Sequence, residues 1–257
     1  MSDGDTMVDI VCYRVLAVLL VLTLCHSAKL PCDNGKDPDD DSKSSGSSND
    51  FDRLILAQLW PVTECINWRA RDPKNMCNLP KNKNAFTVHG LWPSKSGTLG
   101  PKFCKTDLQY SPNTLNPIIT DMNERWTDIH AVKGRSTFWE HEWKKHGTCA
   151  QTLKPLKGVL NYFQETLRLQ NQYDISQALR DRRITPGGSY KLGDIYDALI
   201  AKFKATPWIT LSLSKSNGKQ LLNEIRLCFN KALKLIDCRR ICNENLEVDV
   251  HFLKEVP

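Results

Sequence analysis

The segment Phe138-Trp139-Glu140-His141-Glu142-Trp143-Lys144-Lys145-His146-Gly147-Thr148-Cys149 concentrates reactive side chains. On a helix, residues four apart share a face, so Glu142 neighbours His146 and His141 neighbours Lys145. One patch then presents two imidazoles, a carboxylate and an ammonium. A solvated face would account for Lys and Glu. It accounts less well for two histidines flanked by Phe138, Trp139 and Trp143, whose burial would draw the patch into a cleft. A second segment, Phe86-Thr87-Val88-His89-Gly90-Leu91-Trp92-Pro93, supplies another imidazole.

Histidine titrates near pH ~6.5, so one imidazole can be neutral while another is protonated. Such a pair can cleave RNA without a metal. The neutral ring takes the proton from a ribose 2′-OH, and the oxygen attacks the adjacent phosphorus. The protonated ring gives its proton to the departing 5′-oxygen. The product is a 2′,3′-cyclic phosphate, which water can open to a 3′-phosphate by the reverse roles. A nearby lysine stabilises the charge that grows on the phosphoryl oxygens. DNA lacks the 2′-OH and cannot react this way. His141-Glu142 also begins the zinc motif H-E-x-x-H, which needs its second histidine at i+4. Position 145 is lysine, and the next histidine at i+5 is turned by roughly 140°. Zinc hydrolysis is therefore not expected, and neither a metal nor another cofactor is called for.

These side chains need elements to hold them. Residues 54–60 and 85–91 read as short buried strands, closed by Pro61 and by Trp92-Pro93. Residues 137–145 read as a helix that Gly147 terminates. Further helices are expected over 114–127, with Ile118, Met122 and Trp126 on one stripe, and over 159–169, 174–180 and 191–204. Strands are expected over 206–212, 224–230 and 247–253, and Pro186-Gly187-Gly188 reads as a turn. Helices and strands mix without strict alternation, which favours an α+β domain over a doubly wound sheet.

Before the domain come two different segments. Residues 15–24 are an apolar run after Arg14, too short for the ~20 residues that span a bilayer. With small residues at Ser27 and Ala28 it reads as a signal peptide over 1–28, despite the acidic Asp3, Asp5 and Asp9. An uncleaved anchor is the alternative. Residues 29–52 are rich in Asp and Ser and nearly free of apolar side chains, and they read as a disordered acidic tail. The chain carries a net charge of +6, and its first 52 residues hold four basic and ten acidic side chains, leaving +12 on residues 53–257. Such an excess attracts polyanions, nucleic acid first among them. Of ten cysteines, Cys12 and Cys25 fall in the signal. The even remainder in an exported chain suggests disulfides. No CxxC pair and no N-x-S/T sequon occurs.

Both reactive segments resemble the two active-site motifs of the T-two ribonuclease family, nearly residue for residue and in the same order. Weaker similarity runs from Leu54-Ile55-Leu56-Ala57-Gln58-Leu59-Trp60-Pro61 to Ile225-Arg226-Leu227-Cys228, most of the domain. The resemblance implies a single α+β domain, helices packed on a central antiparallel sheet, over 53–257. It implies a secreted or lysosomal, monomeric endoribonuclease acting on single-stranded RNA, with no stable membrane association. His89 and His146 would be the acid–base pair, with His146 favoured as base. Glu142 and Lys145 would stabilise the phosphoryl group, His141 would bind phosphate, and Trp92 would help form a base-binding surface. The implied disulfides are Cys65–Cys77, Cys104–Cys149 and Cys228–Cys238. The family places a cysteine where this chain has Leu211, so Cys242 loses its partner; a Cys32–Cys242 bridge is expected instead, the alternatives being a free thiol at Cys242 or a link between two chains. A secreted RNA-binding or signalling protein without turnover is the alternative function.

Overall fold

The computed structural model describes residues 12–14, 23–25, 50–96, 98, 100–105, 107–130, 136–238, 241 and 244–257. Met1–Cys32 forms a unit of its own, in which Cys12–Arg14 (β1) pairs antiparallel with Thr23–Cys25 (β2). The rest of the expected signal segment, the acidic tail up to residue 49 and the expected Cys32–Cys242 bridge lie outside the described residues. Within the second unit, Phe51 is buried and the Asp52 N–H donates to the Ser94 carbonyl. The two residues ahead of Arg53 thus already pack with the domain.

Arg53–Leu59 (β3) is apolar on both faces. Leu54 and Leu56 enter the main core, while Ile55 and Ala57 join Trp92, Cys228 and Cys238 on the opposite side. Two-sided burial explains why the run reads as continuous rather than alternating. Pro61 ends β3 and opens Pro61–Arg71 (α1), since proline's missing N–H costs nothing in a helix's first turn. That helix was not anticipated.

Thr87–Ser94 (β4) pairs antiparallel with β3 and lies at the edge of the sheet. It runs through Trp92-Pro93 instead of closing there. An edge strand tolerates proline where the absent N–H would face away from the partner. The free edge is met by side chains: Gln170, Trp126 and Tyr162 donate to the carbonyls of Phe86, His89 and Leu91 at 3.0, 3.0 and 2.8 Å. The helix expected over 114–127 is divided into 3-10 turns at Pro112–Ile118 and an α-helix at Ile119–Arg125 (α2). Pro117 lacks a donor and crowds the preceding turn, so a continuous α-helix cannot form. Met122 and Trp126 are nonetheless buried together.

The remaining helices are Ser136–Lys145 (α3), Val159–Gln172 (α4), Ile175–Arg180 (α5) and Leu192–Phe203 (α6). The remaining described strands are Ser189–Lys191 (β5), Trp208–Leu213 (β6), Gln220–Phe229 (β7), Leu235–Ile236 (β8) and Asp249–His251 (β9). β7 is the central strand. It pairs antiparallel with β3, β6 and β8, and it meets β9 in one short parallel contact at Gln220 and Leu221. The expected strand over 247–253 is reduced to β9. The sheet is therefore antiparallel in all its long pairings, with helices packed against it, as expected of an α+β domain. The three disulfides Cys65–Cys77, Cys104–Cys149 and Cys228–Cys238 are present.

Candidate active site

His89 is presented by a fault in the sheet. Ala57 faces Gly90 and Gln58 faces Val88, so His89 is an extra residue without an opposite number. Strict alternation would turn its side chain towards the core with Leu91. A β-bulge re-aims a side chain in this way, and His89 joins Trp92 instead, with ring centroids 4.9 Å apart. Its Nδ1 lies 2.7 Å from Oε2 of Glu224 on β7.

The other candidates come from α3. Trp139 and Trp143 are buried, and Trp139 donates to the Trp126 carbonyl at 2.8 Å. These anchors turn Glu142, Lys145 and His146 inward, and all three are buried. His141 stays exposed, edge-on to Phe103 at 6.2 Å. The helix ends at Lys145, but Gly147 does not adopt a left-handed conformation. It opens a 3-10 turn, and a Cβ there would lie 2.4 Å from the Trp143 ring. Glycine is needed for close approach, which corrects its expected role as a helix terminator.

Trp92 joins the two halves. Its Nε1–H donates to Glu142 Oε2 at 3.0 Å, and its ring lies 5.4 Å from that of His146. A Cβ on Gly90 would sit 2.1 Å from both Glu142 Oε2 and Trp92 Nε1, so only glycine permits this contact. Trp92 itself has no exposed surface. A base cannot stack on a buried ring, which corrects its expected place in a base-binding surface; Trp92 supports Glu142 and His146 from beneath.

The electrostatics of the two imidazoles differ. Burial pushes the His146 pKa well below its usual value, and nearby Lys145, His89, His141 and Lys102 push the same way. Among the described residues, neither of its ring nitrogens has a hydrogen-bond partner. His89 instead faces a carboxylate. Burial tends to raise the Glu224 pKa, but Arg226 and His89 outweigh it and bring it down to about 2. Glu224 is ionised across the range in which histidine titrates.

Sequence reasoning missed Glu224, Arg226 and Lys102. The first two lie on β7, more than a hundred residues from His89, and they read only as part of a strand. Lys102 is buried and near His146. Its only sequence cue is Cys104, whose bridge to Cys149 ties that segment to the end of α3. Beside His89 opens a cavity of about 390 Å³, lined by Asn67, Phe138, Thr210, Asn223 and Glu224 among others. Among the described residues, no group of three or more His, Cys, Asp or Glu is placed to hold a metal ion.

The Ribonuclease T2 family pattern matches residues 51–238. The chain is 31% identical to extracellular ribonuclease LE of Solanum lycopersicum over 232 residues, covering 88% of this chain and 90% of that one. It is 34% identical to ribonuclease T2 of Sus scrofa over 194 residues, 74% of this chain and 90% of the relative. Among solved structures, RNase NT in complex with 5′-AMP superposes with a TM-score of 0.67 at 26% identity, covering 80% of this chain and 99% of the other. Human RNase T2 gives 0.64 at 27%, covering 79% and 99%.

Proposed function

The chain belongs to the ribonuclease T2 family, and from that premise we propose that it is an endoribonuclease cutting single-stranded RNA by histidine acid–base catalysis without a metal. His146 takes the 2′-OH proton, and the 2′-oxygen attacks phosphorus. His89 protonates the leaving 5′-oxygen. A 2′,3′-cyclic phosphate results, and water then opens it to a 3′-phosphate with the roles reversed. Glu142 and Lys145 stabilise the charged phosphoryl group, and His141 binds phosphate from the exposed side. Lys102 adds a second cation on the His146 side. The cavity beside His89 takes the nucleoside that leaves.

One observation carries this reading: the two imidazoles share a site but sit in opposite environments. Burial among cations keeps His146 neutral, as a base must be. An ionised carboxylate against His89 favours its imidazolium, as an acid must be. Paired groups with environments that push them apart mark the acid and the base.

No helix among the described residues is long and apolar enough to cross a membrane. The proposal includes a signal peptide over 1–28, an acidic tail between it and Phe51, and a monomeric enzyme released to the cell exterior or the lysosome. The test uses purified wild type and His146→Ala with single-stranded RNA in EDTA at pH 5 and pH 7. Cleavage by wild type alone, leaving cyclic-phosphate or 3′-phosphate ends, is expected. Folded wild-type protein that binds RNA without cutting it would indicate a binding protein instead.

A further inference from the structure

Glu224 divides its carboxylate between two partners. Oε2 meets His89 Nδ1 at 2.7 Å, and Oε1 accepts from Arg226 Nε. Arg226 is itself buried, with its guanidinium 5.2 Å from the Trp92 ring and 4.6 Å from that of Trp208. β7 is hydrogen-bonded on both sides here, with Glu224 opposite Leu59 of β3 and Thr210 of β6. The carboxylate therefore cannot follow the imidazole if it turns; the imidazole must conform to the carboxylate.

A buried Arg–Glu pair that served packing alone would be no better than apolar residues of the same size. This pair has a directional consequence. An ionised carboxylate only accepts hydrogen bonds, and a neutral imidazole has one N–H to give. A carboxylate at Nδ1 holds the proton there and turns Nε2 outward.

We infer that Glu224 is the positioning residue for His89, fixing its Nδ1–H tautomer and ring orientation so that Nε2 faces the scissile phosphate, and that Arg226 fixes Glu224 in turn. The catalytic consequence rests on the proposed ribonuclease reading; the tautomer does not. Arg226 also underlies Trp92, which holds Glu142 and packs against His146. One buried guanidinium thus braces the supports of both imidazoles.

Several charges act on His89. Glu224 and Arg226 face it from β7, and His146 from the end of α3. Glu64, Arg71, Asp128 and His130 line the cavity beside it. Glu224 places an oxygen 2.7 Å from the ring nitrogen Nδ1, within hydrogen-bond distance, so its removal acts directly on the ring.

The experiment compares full-length wild type, Glu224→Gln and Glu224→Ala. Each is first checked by thermal melting, because Ala leaves a buried guanidinium without its carboxylate. Gln preserves shape and an accepting oxygen, so it remains informative if Ala does not fold. Two readings follow. In 15N-histidine NMR, neutral wild-type His89 should be Nδ1-protonated, Glu224→Gln should keep that form and Glu224→Ala should lose it. With an RNA dinucleotide, Glu224→Ala should lower kcat by roughly a hundredfold, the scale of a misplaced catalytic group, with KM nearly unchanged. Glu224→Gln should restore much of kcat but move the alkaline limb of the pH profile to lower pH, because the imidazolium has lost its anion. Wild-type kcat or an unchanged His89 tautomer in folded Glu224→Ala, or an unmoved pH limb in Glu224→Gln, would overturn the inference. A wild type without cleavage but with the Nδ1–H tautomer would fail the ribonuclease reading and leave the positioning role standing.

Discussion

The two imidazoles differ in what surrounds them, and pH should expose the difference. His146 is neutral in the fold at pH values where an unfolded histidine would take up a proton. Its acid limb in kcat/KM should therefore lie clearly below pH ~6.5, and activity should persist into acid. A pH–rate profile with an acid limb at or above that value would contradict the base assignment. The same depression has a stability consequence. Above the unfolded pKa both states are neutral and nothing is gained or lost. As pH falls below it, the unfolded chain binds a proton that the folded one refuses, so stability declines. Glu224 acts in the same direction but lower down. Its folded pKa of about 2 lies below the unfolded carboxylate value, so its contribution is present above that value and is lost as pH falls towards 2. Melting temperature should decline from neutral to pH 5 in wild type, and less so in His146→Asn. If the two proteins lose the same number of degrees, burial of His146 is not the cause.

Elements deliver these residues through features of unequal legibility. The helix that carries His141, Glu142 and Lys145, with His146 just past its end, was readable, because its periodicity separates a polar stripe from tryptophans that must be buried. The strand around His89 was readable as a strand, but not its bulge, since an extra residue in a ladder exists only relative to the partner strand. Glu224 and Arg226 were unreadable for a related reason: their neighbours on the page are β7 apolar residues, and only sheet register brings them to His89. α1 was overlooked because Pro61 signals the end of a strand as strongly as the start of a helix. Gly90 ties these elements together most tightly. Gly90→Ala drives a methyl into the Trp92–Glu142 hydrogen bond. Overpacking together with the lost charged hydrogen bond should cost ~2–4 kcal/mol. Chemical denaturation should show that loss, together with a fall in kcat; a variant of wild-type stability would mean that the strand gives way cheaply. Opening Cys104–Cys149 by a double alanine substitution tests another tie. Its 45-residue separation corresponds to roughly 4 kcal/mol of chain entropy at most. Activity should fall as well, since Lys102 and Phe103 adjoin the bridge and Phe103 N–H donates to the Lys145 carbonyl.

At the scale of the whole molecule, the +12 charge on residues 53–257 sets how RNA is met. Charge at large and charge at the site make different predictions. A diffuse excess raises the encounter rate and is screened over about 8–10 Å at ordinary ionic strength. Cations that touch phosphates release counterions, which gives a slope in log affinity against log salt of about −0.7 per contact on a single strand. If Lys102, Lys145 and His141 between them neutralise three phosphate charges, the slope should be near −2, about twentyfold weaker binding between 50 and 200 mM salt. Binding should be measured with His146→Ala, the variant expected to leave the RNA uncut. Lys102→Ala in that background should flatten the slope by about one contact, whereas Lys219→Ala, in the turn before β7, should leave it unchanged. Equal effects from both lysines would mean that the affinity comes from the general field. A loss confined to Lys102 would mean that the buried cations beside His146 do the holding, and that the rest of the positive charge serves arrival.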